Sequence, residues 1–479
     1  MAGESAAGSK LIKSVVIIGG GVAGLAAAVS LAEHRFSVQL FEKRQLLGGR
    51  ASSFIDNETS ERIDNCQHVT MRCCTNLEAF YRKIGVLDSI RYFDTIQFLA
   101  PDGSISILKG CRLPAPFHVL PSFLRFRALG WRDKIAIAKA LIRILLTPRT
   151  SDMDRISMLE WLTQQRQTPR AISRFWRTIL VSACNEELDQ ISALNGFKVF
   201  RDGFLINGTG YQMGLPTVKL ADLYTEPSIR YLEDLGAAVK LRTNVEAIVL
   251  KEGRAAGIQL SDGSEIAADY VLSAIPFDLL LKLLPEEVIR EHADLVMLAG
   301  LEYSPITGVH IWLDRKVEAP EAIAWLDREM QWAFNKTRTY REENSSAETY
   351  LGLVVSSARK LSEMSREEII SLALNDIRSA IPSARDAILV KARVIKEKKA
   401  TFSPQPGSER LRPTQRSSLS GLYLAGDWTA TGWPATMESA ARSGFLAAGA
   451  ILKDEGRTGD LLAPDLPPTG FCRLLLPKR

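Results

Sequence analysis

The sequence is short of cysteine, of charge imbalance and of long uncharged runs, and each shortage removes a class of protein. Six cysteines in 479 residues, with no pair of CxxC units and no dense spacing, exclude a zinc ribbon and a disulfide-stapled scaffold. They fit a reducing compartment. Cys73 and Cys74 adjoin and are read either as a redox pair or as ordinary buried thiols; no metal site is expected. The 60 basic and 55 acidic side chains leave a net charge of only +5, too balanced for a nucleic-acid binder, so no nucleic-acid partner is expected. One run, Ser14 to Ala32, extends 19 residues without charge behind Lys10 and Lys13 and so imitates a signal peptide or membrane span. Its four glycines stand at the spacing of a dinucleotide loop, which argues against both. Internal repeats, low-complexity tracts and a second strand, GxGxxG and helix unit are also lacking, because Gly208-Thr209-Gly210 has no helix to follow it.

The length exceeds what one hydrophobic core usually organises, and the 46% hydrophobic and 24% charged fractions are those of ordinary globular proteins, so two or three interleaved domains are expected. Residues 1–10 are small and polar and are expected to be disordered. Ser14–Ile18 (SVVII) reads as a buried parallel strand, Val22–His34 as an Ala- and Leu-rich helix and Ser37–Phe41 as the next strand, a βαβ unit. Further on, the patterns predict a helix over Asn76–Ile84, a strand at Ser104–Leu108 and a largely helical stretch from Trp131 to Tyr231. A small β meander is expected from Thr243, turning at Asp262 and Gly263 and closed by Tyr270–Pro276. Strands at GVHIWL and TYLGLVV, a charged helix near Ser365–Ile381, a strand and turn at Gly421–Asp427 and a helix over Glu438–Lys453 complete the reading. Strands suited to one nucleotide-binding sheet thus occur early, in the middle and late in the chain. The cofactor domain is therefore expected to be discontinuous, over 11–75, 236–285 and 411–460. A helical membrane-facing region is assigned to 76–235, a substrate domain to 286–410 and a tail to 461–479.

The most specific motif is Gly19-Gly20-Gly21-Val22-Ala23-Gly24, a GxGxxG between a strand and a helix. Gly19 permits the turn, Gly21 lets backbone N–H groups reach a pyrophosphate, Gly24 lets the helix pack closely, and the N-terminus with Val22 and Ala23 faces negative charge. Glu42 ends the second strand 23 residues after Gly19, where a carboxylate accepts hydrogen bonds from both ribose hydroxyls and disfavours a 2′-phosphate. FAD or NAD is thereby preferred over NADP, despite neighbouring Lys43 and Arg44. Gly48, Gly49 and Arg50 follow as a second close approach to phosphate with added charge.

The series GGGVAGL, Glu42, LLGGR and AGDWT (Ala425–Thr429) resembles the FAD-dependent superfamily that joins amine oxidases and phytoene desaturases. The resemblance implies an α/β fold, with a discontinuous Rossmann-type FAD-binding domain and an inserted α+β substrate domain. It implies cofactor contacts from Gly426 and Asp427, from Val245 beside the adenine, and from Lys43, Thr436 and Met437. Over most of its length the chain is similar to hydroxysqualene dehydroxylases, through GGRASSF (Gly48–Phe54), IDNCQH (Ile63–His68), NEELDQISA (Asn185–Ala193), EKKATF (Glu397–Phe402) and Ala425–Gly444. Cys66 departs from that family's glycine, which puts close backbone approach there in question.

That resemblance implies reductive loss of the allylic hydroxyl of hydroxysqualene. The step needs a proton donor for the departing oxygen, a water-poor tunnel and aromatic faces that tolerate positive charge. Candidate donors are His68, Asp189 and Glu438, with Gln67 and Asn185 orienting and Trp428 and Trp433 walling the channel; each also has a plain structural reading, as loop residue, helix cap or core. Lys398 and Lys399 reach the flavin from a strand or stay on the surface. From Phe123 to Arg149, Arg and Lys alternate with Leu, Ile, Phe and Trp around a single acid, Asp133, as in a helix lying in a membrane surface, or as in a core helix with a solvated basic face. The tail FCRLLLPKR fits the same surface. The expected partners are a long-chain isoprenoid, a membrane surface and an electron donor that is either a reduced nicotinamide or a redox protein. The expected location is cytoplasmic, peripheral to the cytoplasmic membrane. Rival readings are a polyene desaturase, an amine oxidase, or a FAD-binding factor without turnover.

Overall fold

The computed structural model describes residues 12–56, 61–148, 150–340 and 348–475. The expectation for residues 1–10 lies outside them, as do Arg149 and the last four residues of the tail.

The β-branched run Ser14–Ile18 forms the central strand of a five-stranded parallel sheet, ordered Ala238–Lys240, Ser37–Phe41, Ser14–Ile18, Tyr270–Ser273 and Leu422–Leu424. Its side chains alternate between two cores. Val15 and Ile17 pack with helix Val22–Glu33, whereas Val16 and Ile18 pack with an antiparallel meander of Val245–Lys251, Arg254–Leu260 and Glu265–Ala267. A strand covered on both faces has no place for alternating polar residues, which is why this run is continuously apolar. The predicted meander is present, but Tyr270–Ser273 does not close it: the segment runs parallel beside Ser14–Ile18, with Ile17 opposite Leu272.

Helix Val22–Glu33 is buried from Val22 to Ala32, and its alanines leave room for helix Met437–Asp454 to cross in contact. An added Cβ at Gly444 would stand 2.3 Å from the Ala23 carbonyl oxygen.

The second layer is a seven-stranded sheet, ordered Leu389–Phe402, Tyr303–Leu313, Thr349–Ser356, Trp332–Asn335, Ala322–Trp325, Thr95–Leu99 and Ile105–Lys109. Segments 95–109 and 303–402 therefore share one sheet, through a parallel pairing of Ala324 with Phe98. Val309, Ile311, Leu351 and Leu353 face helix Arg366–Ala380, whose start is fixed by reciprocal hydrogen bonds between Ser365 and Glu368. Ile306, Gly308, Phe334 and Val354 face a cavity. Helices between 120 and 205 form a third body, built around Phe126, Ile137, Trp176, Phe197 and Phe200. The stretch read as helical is interrupted by strand Met213–Pro216 and by π-helical turns at Ile172–Arg177 and Arg201–Leu205. No helix among the described residues is long and apolar enough to cross a membrane.

The crossing at Gly444 gives a direct test. Gly444→Val forces the two helices apart, which costs about 1–3 kcal/mol or more by overpacking. Lower thermal stability and a lower flavin-to-protein absorbance ratio are expected, since one helix starts at the glycine loop and the other at Thr436.

Candidate functional site

Where the two glycine-rich segments meet, backbone replaces side chain. Gly21 bridges to Gly48, the Gly48 N–H donates to the Gly20 carbonyl at 2.9 Å, and an added Cβ at Gly49 would stand 3.0 Å from the Gly21 Cα. Gly24 admits no side chain, because its Cβ would lie 2.0 Å from the Gly19 carbonyl oxygen. Helix Val22–Glu33 begins at Gly21 with no side-chain cap, so the N–H groups of its first turn are left for a ligand. Glu42 is buried; its carboxylate accepts from the Gly20 N–H at 2.8 Å and the Arg44 N–H at 2.9 Å, which holds it at the rim of the same space. Gly19, Gly21, Val22, Ala23, Glu42, Lys43, Gly48, Gly49, Arg50, Val245, Gly426, Asp427, Thr436 and Met437 all border one cavity of about 650 Å³; Gly24 packs behind it. Uncapped N–H groups, a cradle that a Cβ would fill and an acid at the second strand's end fit the ADP portion of FAD.

Several side chains have further duties. The Arg50 guanidinium is ion-paired with Asp427 and donates to the Ala400 carbonyl at 2.8 Å, so it ties the second glycine loop to the late motif. Thr436 caps helix Met437–Asp454 by accepting from the Ser439 N–H at 3.1 Å. Arg44 also borders the cavity and donates to the Gly49 carbonyl. It was not among the expected cofactor residues, although its place two residues after Glu42 is a legible signal.

The three candidate donors separate. Asp189 is exposed and stands outside the cavity, which corrects its reading as a donor: a solvated carboxylate has no access to a water-poor tunnel. Glu438 is fully buried at the cavity edge, and its carboxylate accepts from the N–H groups of Asn76 and Leu77, the Asn76 amide and the Arg442 guanidinium. It caps helix Thr75–Lys83; burial pushes its carboxyl upward while Arg442 and the N–H donors oppose that, and a carboxylate so saturated is a brace. His68 lines the cavity, with Nδ1 3.3 Å from the Cys66 carbonyl, and burial lowers its pKa to about 4. In neutral solution it is a neutral imidazole, suited to hydrogen bonding.

Gln67, Asn185, Trp428 and Trp433 all border the cavity. The Asn185 amide is spent on protein: Nδ2 donates to the Ser304 carbonyl and the Thr401 hydroxyl, and Oδ1 accepts from the Ser357 N–H. The Trp428 indole donates to the Ile275 carbonyl at 3.1 Å, leaving its ring as wall. Lys398 and Lys399 are exposed and paired with Glu363 and Asp278. At Cys66 the family's glycine proves unnecessary, because the opposing strand supplies one: a Cβ on Gly308 would stand 3.2 Å from the Cys66 Cβ. Burial pushes the Cys66 thiol up to about 12, so it is no nucleophile. Behind it lies a polar cluster in which buried Lys336 sits 3.6 Å from Asp64, Tyr340 bridges the two, and His310 pairs with the Tyr350 hydroxyl at 2.7 Å.

Fold and cradle together define a FAD-binding α/β oxidoreductase. A family model described as flavin containing amine oxidoreductase matches residues 22–452, and the chain belongs to that family; FAD is its cofactor. Among relatives, the 15-cis-phytoene desaturase of Solanum lycopersicum is 27% identical over 455 residues, covering 92% of this chain and 78% of the relative. A probable zeta-carotene desaturase of Synechococcus elongatus is 26% identical over 479 aligned positions, covering 92% and 98%. Solved structures sharing the fold include an oxidoreductase from Methanosarcina mazei, with a TM-score of 0.69 at 18% identity over 92% of this chain and 100% of that one. Putrescine oxidase bound to putrescine matches with a TM-score of 0.66 at 16% identity, over 92% and 99%.

The histidines carry a pH signature. Burial lowers His68 and His310 to about 4 from 6.5, so the unfolded chain takes up protons first as pH falls. Their contribution to stability is complete above pH 6.5 and is lost progressively towards pH 4. His310 is 1% exposed and stands in the polar cluster behind the cavity, away from the cofactor cradle. Between pH 6.5 and 4.5 the melting temperature should therefore fall more in the wild type than in His310→Gln; parallel curves would refute the assignment.

Proposed function

We propose that the chain reduces hydroxysqualene to squalene in squalene and hopanoid biosynthesis, with FAD as the hydride carrier and either a reduced nicotinamide or a redox protein as the electron source. The carrying observation is the cavity: from the glycine cradle it continues without a break into walls of Ile96, Phe98, Ile179, Phe204, Ile306 and Phe334. Such walls accept a long apolar chain and exclude water from a developing allylic cation. FAD, once bound and fully reduced, supplies both the hydride and the proton with which the hydroxyl leaves as water. The residues contribute an aromatic face at Trp428, a neutral His68 in the cavity wall that can hydrogen-bond a hydroxyl, and a dry interior. The segment matches to hydroxysqualene dehydroxylases favour this direction of hydride transfer.

A second reading, removal of hydride from a polyene, is favoured by the relatives named phytoene and zeta-carotene desaturases. Anaerobic incubation of the FAD-loaded protein with chemically reduced flavin and hydroxysqualene, followed by lipid extraction and mass measurement, separates the two. Squalene formed with flavin reoxidation is expected. Absence of both, with oxidised enzyme converting phytoene, would replace the first reading by the second.

We also propose that the protein rests on the cytoplasmic face of the membrane. Among the described residues, 11 of the 20 exposed large apolar side chains fall within 113–146 and 471–475. They adjoin in space: Phe117 and Phe471 meet edge-on with ring centroids 6.0 Å apart, and Lys134 of helix Trp131–Leu146 donates to the Leu124 carbonyl at 2.7 Å. Exposed Arg112, Arg125, Arg127, Arg132 and Arg143 surround them. Apolar anchors ringed by arginine suit anionic lipid. Ile135→Glu with Ile142→Glu should lower binding to phosphatidylglycerol vesicles in a flotation assay by on the order of tenfold or more, since a buried Ile is worth about 1.5–3 kcal/mol. FAD content should not change, and equal flotation would refute the proposal.

A further inference from the structure

Two charges stand in the wall of the cavity's apolar part, where a hydrocarbon needs none. Lys198, near the end of helix Ala193–Phe200, is 4% exposed; Asp202, in the π-helical turn Arg201–Leu205 that continues it, is 7% exposed. Their spacing of four residues brings ammonium and carboxylate into an ion pair, and both border the cavity. The Lys198 ammonium also lies 4.3 Å from the centre of the Trp433 ring, and Trp433 precedes by three residues the Thr436 that caps the late helix at the cofactor cradle. The pair thus lies beside the segment that leads into the cofactor cradle.

A purely structural role leaves this arrangement unexplained. Removing two charges from water costs several kcal/mol per ion, and a buried pair repays it only when its remaining lone pairs and protons are satisfied. At two other buried carboxylates they are. Glu186 accepts from Ser357, Ser403, Arg359 and the Glu187 N–H, and Glu438 is saturated as described above. Among the described residues, Asp202 Oδ2 meets only the Lys198 ammonium and Oδ1 accepts no hydrogen bond, and the indole N–H of Trp433, whose ring Lys198 approaches, donates none. The helix carrying Asp202 widens into a π turn at this point, a local irregularity that concentrates at functional sites.

We infer that Lys198 and Asp202 form the polar anchor for the hydroxyl group of a linear isoprenoid alcohol. The ammonium donates a hydrogen bond to the hydroxyl oxygen and the carboxylate accepts one from the hydroxyl O–H, while the apolar walls take the chain. This rests on the proposed reduction of an isoprenoid alcohol and names the residues that select it. A site of this kind discriminates strongly against the hydrocarbon that lacks the oxygen, because its own buried polar groups then go unpaired. The product of the proposed reaction is such a hydrocarbon, so the same pair favours its release.

The test measures binding rather than turnover. FAD-loaded full-length protein in detergent micelles is equilibrated with hydroxysqualene or with squalene, and retained lipid is quantified by mass after rapid gel filtration. The wild type should hold the alcohol at least about tenfold more tightly than the hydrocarbon. In Lys198→Met with Asp202→Leu, which removes both charges together, squalene binding should persist and the preference should fall to within about twofold. Asp202→Asn, of nearly unchanged shape, is read by the same ratio should the double variant not fold; a drop of about threefold or more is expected. An unchanged ratio in a folded variant would overturn the inference. Loss of FAD with the fold retained would overturn it too, assigning the pair to the cofactor, and so would a wild type without preference. The turnover assay on the same preparation stands apart: squalene formed by a protein whose preference ignores these substitutions would sink the anchor and leave the reaction intact.

Discussion

The approach of Gly21 to Gly49 is the contact on which the site depends. With no side chain on either, two loops from successive parts of the chain come within van der Waals distance, and the N–H groups of an uncapped helix are left pointing into open space. Glu42 locks the arrangement from the side, because its carboxylate bonds the backbone of both Gly20 and Arg44. From there the constraint propagates outward. The helix that starts at Gly21 seats Gly444 against Ala23, which fixes the helix beginning at Met437; that helix, through Glu438, ties down the N-terminus of Thr75–Lys83. One glycine contact thereby orders three helix starts around a single space.

What was legible in the sequence follows from this locality. The nucleotide cradle is written in about thirty consecutive residues, where strand, turn, helix and acid appear in order, and its spacing survives without knowledge of the rest. The pairing of Tyr270–Ser273 with Ser14–Ile18 was not legible, since an apolar run of four residues serves an antiparallel meander and a parallel sheet equally well. Nor was the union of 95–109 with 303–402, which rests on a two-residue parallel contact across more than two hundred positions.

The chemistry of single side chains was least legible, because it depends on what packs against them. Asp189 and Glu438 look alike as acids beside helices. One faces solvent, and the other is enclosed by four donors, three of which come from a helix more than 360 residues earlier. Lys198 carries a weak signal: it stands between Phe197 and Phe200 on a short helix whose other buried positions, Ala193, Asn195 and Gly196, bear no charge, so a charge there has to be buried against a partner. The partner, Asp202, is visible at four residues' distance only if the helix is known to continue.

The helical body between 120 and 205 unites the proposals for membrane, cavity and anchor. A single core joins Phe123, Ile137 and Ile144, on the inner side of the segment whose outer side bears Leu124, Trp131, Ile135 and Ile142, to Ile179, Phe204 and Tyr211, which border the cavity. One continuous apolar core therefore links the exposed apolar surface to the space beside the cofactor cradle. For a substrate dissolved in lipid, transfer into such a cavity exchanges one apolar environment for another, so the chain itself contributes little net binding energy. Selectivity then has to come from the few polar groups it meets, and the charged pair set into the wall is the feature proposed to tell one isoprenoid from another.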